Sequence, residues 1–219
     1  MIDHDIVDDV TLLTMRAGEN RFNLPFVEAL TAAVDDAAAR AKPLVLTGEG
    51  KFFSNGLDLD WLRGEGADRA EAMFPVLYRL LAKVLTFPGA TVAAINGHAF
   101  GGGLIVSAVA DRRVMRSDRG FFCFPEVDLG MAMSDEFDAV IQAKLPADSL
   151  LQALVSGHRY GGPEAKAAGL VHEVATEDQL VPTSVAMAAE LAAKDGETIG
   201  RIKAKHFQSV VALLCPDGI

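Results

Sequence analysis

Cysteine is scarce in this chain, with two in 219 residues, Cys123 and Cys215. Two thiols so far apart make no metal-binding spacing and no disulfide framework, which excludes a zinc ribbon and a stapled mini-domain. Basic residues are also in deficit: 20 Lys and Arg stand against 30 Asp and Glu, a formal net charge of −10. A general nucleic-acid binder or a protein held on anionic lipid needs a basic face, so neither class of partner is expected. No apolar stretch reaches the ~20 residues that cross a bilayer, because Gly, Asp or Arg interrupts each one first. The start, Met1-Ile2-Asp3-His4-Asp5, lacks the pattern of a secretory signal. The end, Pro216-Asp217-Gly218-Ile219, is not a peroxisomal address of the Ser-Lys-Leu type. A soluble cytoplasmic protein is the expectation. Internal repeats, low-complexity tracts and separating linkers are absent too, so 1–219 reads as one domain.

What the chain does have is apolar material, 50% of its residues, enough for a large core. Strand-like and helix-like segments alternate. Ile6 to Met15 is β-branched and reads as a strand or hairpin. Val27, Leu30 and Val34 recur at helical spacing between Pro25 and Arg40. Leu44–Thr47 and Thr91–Ile95 are buried strands, and Arg69 to Phe87 is a helix with Met73, Leu77, Leu80, Leu81 and Val84 on its core face. Arg113–Met115 and Phe121–Phe124 read as short strands. From Ser134 onward the pattern is mostly helical. The alternation argues for an α/β architecture with a helical C-terminal region.

Three segments carry candidate chemistry. Gly50-Lys51-Phe52-Phe53-Ser54-Asn55-Gly56-Leu57-Asp58-Leu59 is, taken alone, an ordinary turn after a strand; its functional reading leaves the Leu57 N–H facing a ligand oxygen. Asn96-Gly97-His98-Ala99-Phe100-Gly101-Gly102-Gly103-Leu104 places three costly glycines before a helix, where unpaired N–H groups favour negative charge. A tight strand–helix junction explains that segment equally well. It is neither a dinucleotide fingerprint nor a P-loop, because the required spacings are missing. In Phe124-Pro125-Glu126-Val127-Asp128-Leu129-Gly130-Met131, the Glu126 carboxylate ends an apolar aromatic run. It is either structurally paired or held at a raised pKa for proton transfer. Asp128 reads as a turn or salt-bridge residue, His98 as packing, and Arg112, Arg113 and Arg116 as a solvated or interface cluster. The histidines share no ligand spacing, so no metal site is expected, and no serine sits in a nucleophile elbow.

In this order, the three segments resemble the crotonase superfamily, the enoyl-CoA hydratase/isomerase fold. Ser156-Gly157-His158-Arg159-Tyr160 and Ala165-Lys166-Ala167-Ala168-Gly169-Leu170-Val171 add to the likeness, which runs from about Val10 to Val174. The resemblance implies a spiral of ββα units over about 1–175, with a helical region over about 176–219 that assembles a homotrimer or a dimer of trimers. It implies an acyl-CoA thioester as substrate, with coenzyme A as part of it and no separate cofactor. It implies an oxyanion hole made by the Leu57 and Gly102 N–H groups and a catalytic Glu126. Ser54, Asn55, Gly56, Trp61, His98, Gly101 and Ile105 are the implied substrate-binding set.

One departure sharpens this expectation. Hydratases of the family use two glutamates, and the position of the first is Ile105 here. Water addition benefits from two acid–base groups, whereas moving a double bond needs one base that takes an α-proton and returns it at the γ-carbon. The pattern therefore resembles the Δ3,Δ2-enoyl-CoA isomerases. The rivals are a hydratase that recruits Asp135, Glu136 or Asp138 as its second acid, another acyl-CoA reaction such as thioester hydrolysis, and a non-catalytic acyl-CoA-binding homologue. Trp61, Phe74, Leu77 and Phe137 are candidates for the acyl pocket, and Lys51 or Arg21 for the CoA phosphates.

Overall fold

In the computed structural model, which describes residues 1–219, the chain opens with a hairpin of β1 (Ile2–Val7) and β2 (Val10–Met15). Asp8 and Asp9 make its two-residue turn at φ of 50° and 65°, a conformation aspartate tolerates and one that matches the strand twist. Next comes α1 (Leu24–Ala38), where the Asn23 side chain accepts from the Phe26 N–H at 3.1 Å and Pro25 occupies the first turn.

From there the chain repeats one manoeuvre. β3 (Leu44–Gly48) and β4 (Phe52–Ser54) lead to α2 (Leu59–Arg63) and α3 (Ala70–Leu85). β5 (Thr91–Ile95) and β6 (His98–Phe100) lead to α4 (Gly102–Val109), and β7 (Arg112–Arg116) and β8 (Phe122–Cys123) lead to α5 (Asp135–Lys144). In each repeat the first strand joins a six-stranded sheet and the second a three-stranded one. The large sheet has the order β1-β2-β3-β5-β7 and ends on β9 (Glu173–Ala175); the small one is β4-β6-β8. All pairings but β1 with β2 are parallel. This is the expected spiral of ββα units. α6 (Ala147–Ser156) and α7 (Gly162–Ala167) precede β9, and α8 (Glu177–Ala189), α9 (Gly196–His206) and α10 (Gln208–Leu214) follow it.

Every residue of β3 and β5 is buried, as parallel strands covered on both faces require. One face of the large sheet packs on the main core, to which α1, α3 and α4 contribute Leu30, Leu80 and Leu104; the other packs on α8 through Val45, Val92, Leu180 and Val185. α4 is buried along its whole length.

Three features differ from expectation. β9 interrupts the stretch read as helical; its three residues are too short to show alternation and form a strand by pairing with β7. The segments around Phe53 and Ala99, read as a turn and as a strand–helix junction, are strands of the small sheet. Arg113 and Arg116 are not a solvated face but are 2% and 4% exposed. Arg113 Nε donates to Leu170 O at 2.8 Å, and its Nη1 donates to Ala108 O at 3.0 Å and Ala110 O at 3.3 Å. The guanidinium thus satisfies carbonyls at the C-terminal end of α4, and burial brings its pKa down to about 10. Arg116 pairs with Asp118 at 2.7 Å and with Glu177 at 2.8 Å, tying β7 to the first turn of α8.

Candidate active site

The β4–α2 loop and the β6–α4 junction meet backbone to backbone. Gly56 sits at φ +78°, and a Cβ there would stand 2.7 Å from Phe100 O and 3.2 Å from Gly102 N. Only glycine combines that conformation with that approach. Ser54 secures the loop from below: its hydroxyl donates to Asn20 O at 2.6 Å and accepts from the Gly56 N–H at 3.1 Å. Phe22 clamps the next residue, its N–H donating to Gly56 O at 2.8 Å and its carbonyl accepting from Asp58 N at 3.0 Å. The Leu57 N–H, between these two bonds, donates to no protein group. Gly102 opens α4, where a first-turn N–H has no acceptor within its own helix and carries partial positive charge.

Opposite stands Glu126. Its Oε1 lies 3.1 Å from the point that a Cβ on Gly101 would occupy, and its Oε2 is buried without a hydrogen-bond partner. The Glu126 carbonyl accepts from Leu129 N at 3.1 Å and Met131 N at 2.9 Å, a tight turn that holds the residue's backbone. Removal from water raises the carboxyl pKa above its ordinary value, opposed by a weaker backbone hydrogen bond.

These groups line one cleft of about 80 Å³. Asn55, Gly56, Leu57, Gly101, Gly102 and Glu126 form its polar side; Ile105, Leu59, Pro125, Leu129, Met131 and Phe137 form its apolar side. Glu126 is the one ionisable side chain among them. Pockets that enclose a drug-sized ligand occupy roughly 300–1,000 Å³, so this cleft encloses a reacting group and not a whole cofactor-sized molecule. Ile105, 1% exposed and one turn into α4, presents hydrocarbon to it.

Three expected substrate contacts lie outside the lining. Ser54 is fully buried and positions Gly56 instead. Trp61 is tucked under the α2–α3 connection, where a Cβ on Gly66 would stand 2.2 Å from its ring and Arg69 lies 5.5 Å over it. His98 packs among Phe52, Phe100 and Phe121 at 5.0–5.5 Å between ring centroids. Of the other acyl-pocket candidates, Leu77 belongs to the core and Phe74 does not reach the cleft, whereas Phe137 does. Leu59, Pro125, Leu129 and Met131 are lining residues that sequence reading did not single out, although all four lie inside the quoted segments. Asn55 lines the cleft with its side chain donating to Glu19 at 2.9 Å. Arg21 is engaged by Glu19 and Asp60 at 2.6 and 3.0 Å, and Lys51 lies over the Phe52 ring. Asp135, Glu136 and Asp138 occupy the first turn of α5, from which Phe137 alone enters the cleft.

Comparison with known proteins agrees with this geometry. The family model described as Enoyl-CoA hydratase/isomerase matches residues 6–212. Enoyl-CoA delta isomerase 2, peroxisomal, of Arabidopsis thaliana is 34% identical over 94% of this chain and 92% of its own length. Enoyl-CoA delta isomerase 3 of the same plant is 35% identical over the same shares, 94% and 92%. Among solved structures, a probable enoyl-CoA hydratase of Mycobacterium tuberculosis superposes with a TM-score of 0.88 at 25% identity, covering 97% of this chain and 91% of that one. With its ββα spiral, its facing glycine loops and a match over nearly its whole length, the chain belongs to the enoyl-CoA hydratase/isomerase family.

Proposed function

We propose that the protein is an enoyl-CoA isomerase that converts 3-enoyl-CoA to 2-enoyl-CoA with Glu126 as its single proton shuttle. The observation that carries this reading is that Glu126 is the one ionisable group lining the cleft; Ile105, which lines it too, stands at the position where the family resemblance puts the second glutamate of a hydratase. The ionised Glu126 removes a proton from C2, the C3–C4 π electrons and the new carbanion delocalise into the thioester carbonyl, and a dienolate forms. The N–H groups of Leu57 and Gly102 hold its oxygen; one such donor is typically worth ~3–4 kcal/mol of barrier. Glu126, now protonated, returns the proton at C4 and leaves the double bond between C2 and C3. Protons and electrons balance without a cofactor beyond the CoA of the substrate.

The apolar lining supports the same reading, because Ile105, Leu59, Leu129 and Met131 leave an attacking water few partners in the cleft. The two delta isomerases from Arabidopsis support it independently. Paired turnover on 3-enoyl-CoA and 2-enoyl-CoA tests it. Isomerisation well above hydration, lost in Glu126→Gln, is expected; comparable hydration would mean that another acid serves the site, and CoA binding without turnover would mean a non-catalytic homologue.

Assembly as a homotrimer or dimer of trimers belongs to this proposal, supported by the apolar side chains of Val127, Leu151 and Val155 at 47%, 64% and 60% exposure. Light scattering of the purified protein tests it, and a monomer would refute it. A cytoplasmic location is supported by two unpaired, buried thiols, and cell fractionation tests that. No helix is long and apolar enough to cross a membrane.

A further inference from the structure

Phe137 forms part of the apolar wall of the cleft that holds Glu126, and it is 7% exposed. Its ring packs edge-on against Tyr78, with centroids 5.4 Å apart and planes at 78°. Tyr78 in turn lines a second cavity of about 270 Å³, more than three times the volume of the cleft, walled by Pro75, Leu213 and Leu214 and carrying Arg79 and Glu136. The two cavities therefore stand on opposite sides of one aromatic pair. The pair is tied in place. Tyr78 Oη lies 3.3 Å from Ser134 Oγ, and Ser134 caps α5 by accepting from the N–H of Phe137 itself.

Taking the acyl-CoA reading above as given, we propose that Phe137 is the chain-length stop of the acyl site. A short acyl chain ends against its ring; when that ring is removed, the terminal methylenes of a longer chain take its place against Tyr78 and extend along it toward the outer cavity. The occupant follows from the chemistry: Phe137 closes the apolar side of the reaction cleft, Tyr78 behind it shares the outer cavity with Pro75, Leu213 and Leu214, and a hydrocarbon tail is the part of an acyl-CoA that gains from burial against those side chains.

The test measures kcat/KM for 3-enoyl-CoA of six and of fourteen carbons, and in parallel the calorimetric affinity of the saturated acyl-CoA of each length. Wild type is expected to favour six carbons in both. Phe137→Ala should raise the fourteen-to-six ratio by ~10-fold or more, since each buried methylene contributes about fourfold. Adding Leu213→Trp, a change at the 42%-exposed rim of the outer cavity, should take that gain back. Phe137→Leu, which keeps a folded apolar core, should move the ratio in the same direction by less. An unchanged ratio in both Phe137 variants, a wild type that already prefers fourteen carbons, or a gain that survives Leu213→Trp would overturn the proposal. Absence of turnover at either length would refute the isomerase reading alone, because the affinities for the saturated thioesters still decide the role of Phe137.

Discussion

Glu126 Oε1 lies 3.1 Å from the place that a methyl group on Gly101 would take. The proposed base and the turn preceding the helix that carries Gly102 are thus in contact through a position with no side chain. Gly101 has φ 48° and ψ −121°, a region closed to residues with a Cβ. Gly101→Ala should lower stability by about 1–3 kcal/mol through backbone strain and lower kcat by more than tenfold by displacing the carboxylate. Denaturant unfolding and steady-state kinetics on the same preparation check both effects; unchanged kcat would show that the carboxylate has room to move.

The raised pKa of Glu126 fixes the direction of the pH profile. The base must be ionised to take a proton, so kcat/KM should rise with pH through a single ionisation above the ordinary value of 4.5 and then level off. Glu126→Asp, which keeps the carboxylate but shortens its reach, should retain the limb at reduced rate. A profile flat across the acid range would assign the proton transfer to another group.

Stability should run the opposite way. A carboxyl with a higher pKa folded than unfolded binds more protons in the native state between those two values. Its contribution is complete below 4.5 and is lost as pH rises through the folded value. Glu126→Gln should therefore raise Tm at pH 7–8, and the gain over wild type should vanish at acid pH. A destabilised Glu126→Gln at neutral pH would mean that the ionised form is held by partners in the fold.

Arg113 is expected to matter to the fold alone. Arg113→Met keeps the volume but strips the carbonyls of Ala108, Ala110 and Leu170 of their donor. Each buried acceptor left without a partner costs ~1–3 kcal/mol, so a total loss of about 3 kcal/mol or more is expected in urea unfolding. KM of the folded fraction should stay unchanged, since Arg113 does not line the cleft.

Acid destabilisation should also involve His172, whose Nδ1 accepts from the Arg113 N–H at 3.1 Å. Burial and the neighbouring guanidinium bring its pKa down to about 4 from an ordinary value of 6.5. The neutral ring contributes stability that is full above 6.5 and lost as pH falls through about 4. His172→Gln should flatten the fall of Tm over that interval, and an identical slope would remove His172 from the acid response.

Long elements were legible because they repeat. α1 and α3 carry apolar residues at helical spacing over 15 and 16 residues, and β3 and β5 are unbroken buried runs. Of the small sheet only β8 was legible, inside the apolar run Phe121–Phe124; β4 and β6 have three residues each, too few to show an alternation. The meeting of Gly56, Gly101, Gly102, Ile105 and Glu126 around one cleft was readable only through the family that three ordered motifs resemble. The positions of Ser54, Trp61 and His98 were not, since each faces away from the cleft into contacts set by distant parts of the chain. Arg113 was misread for a related reason: its partners are backbone carbonyls, and a carbonyl leaves no mark on the residue type.

Arg113 also imposes a schedule on the nascent chain. Its partner Leu170 O lies 57 residues downstream, so at ~5–20 residues per second the ribosome needs about 3–11 s to supply it. Through that interval one of the carbonyls that neutralise the cost of burying a guanidinium does not yet exist.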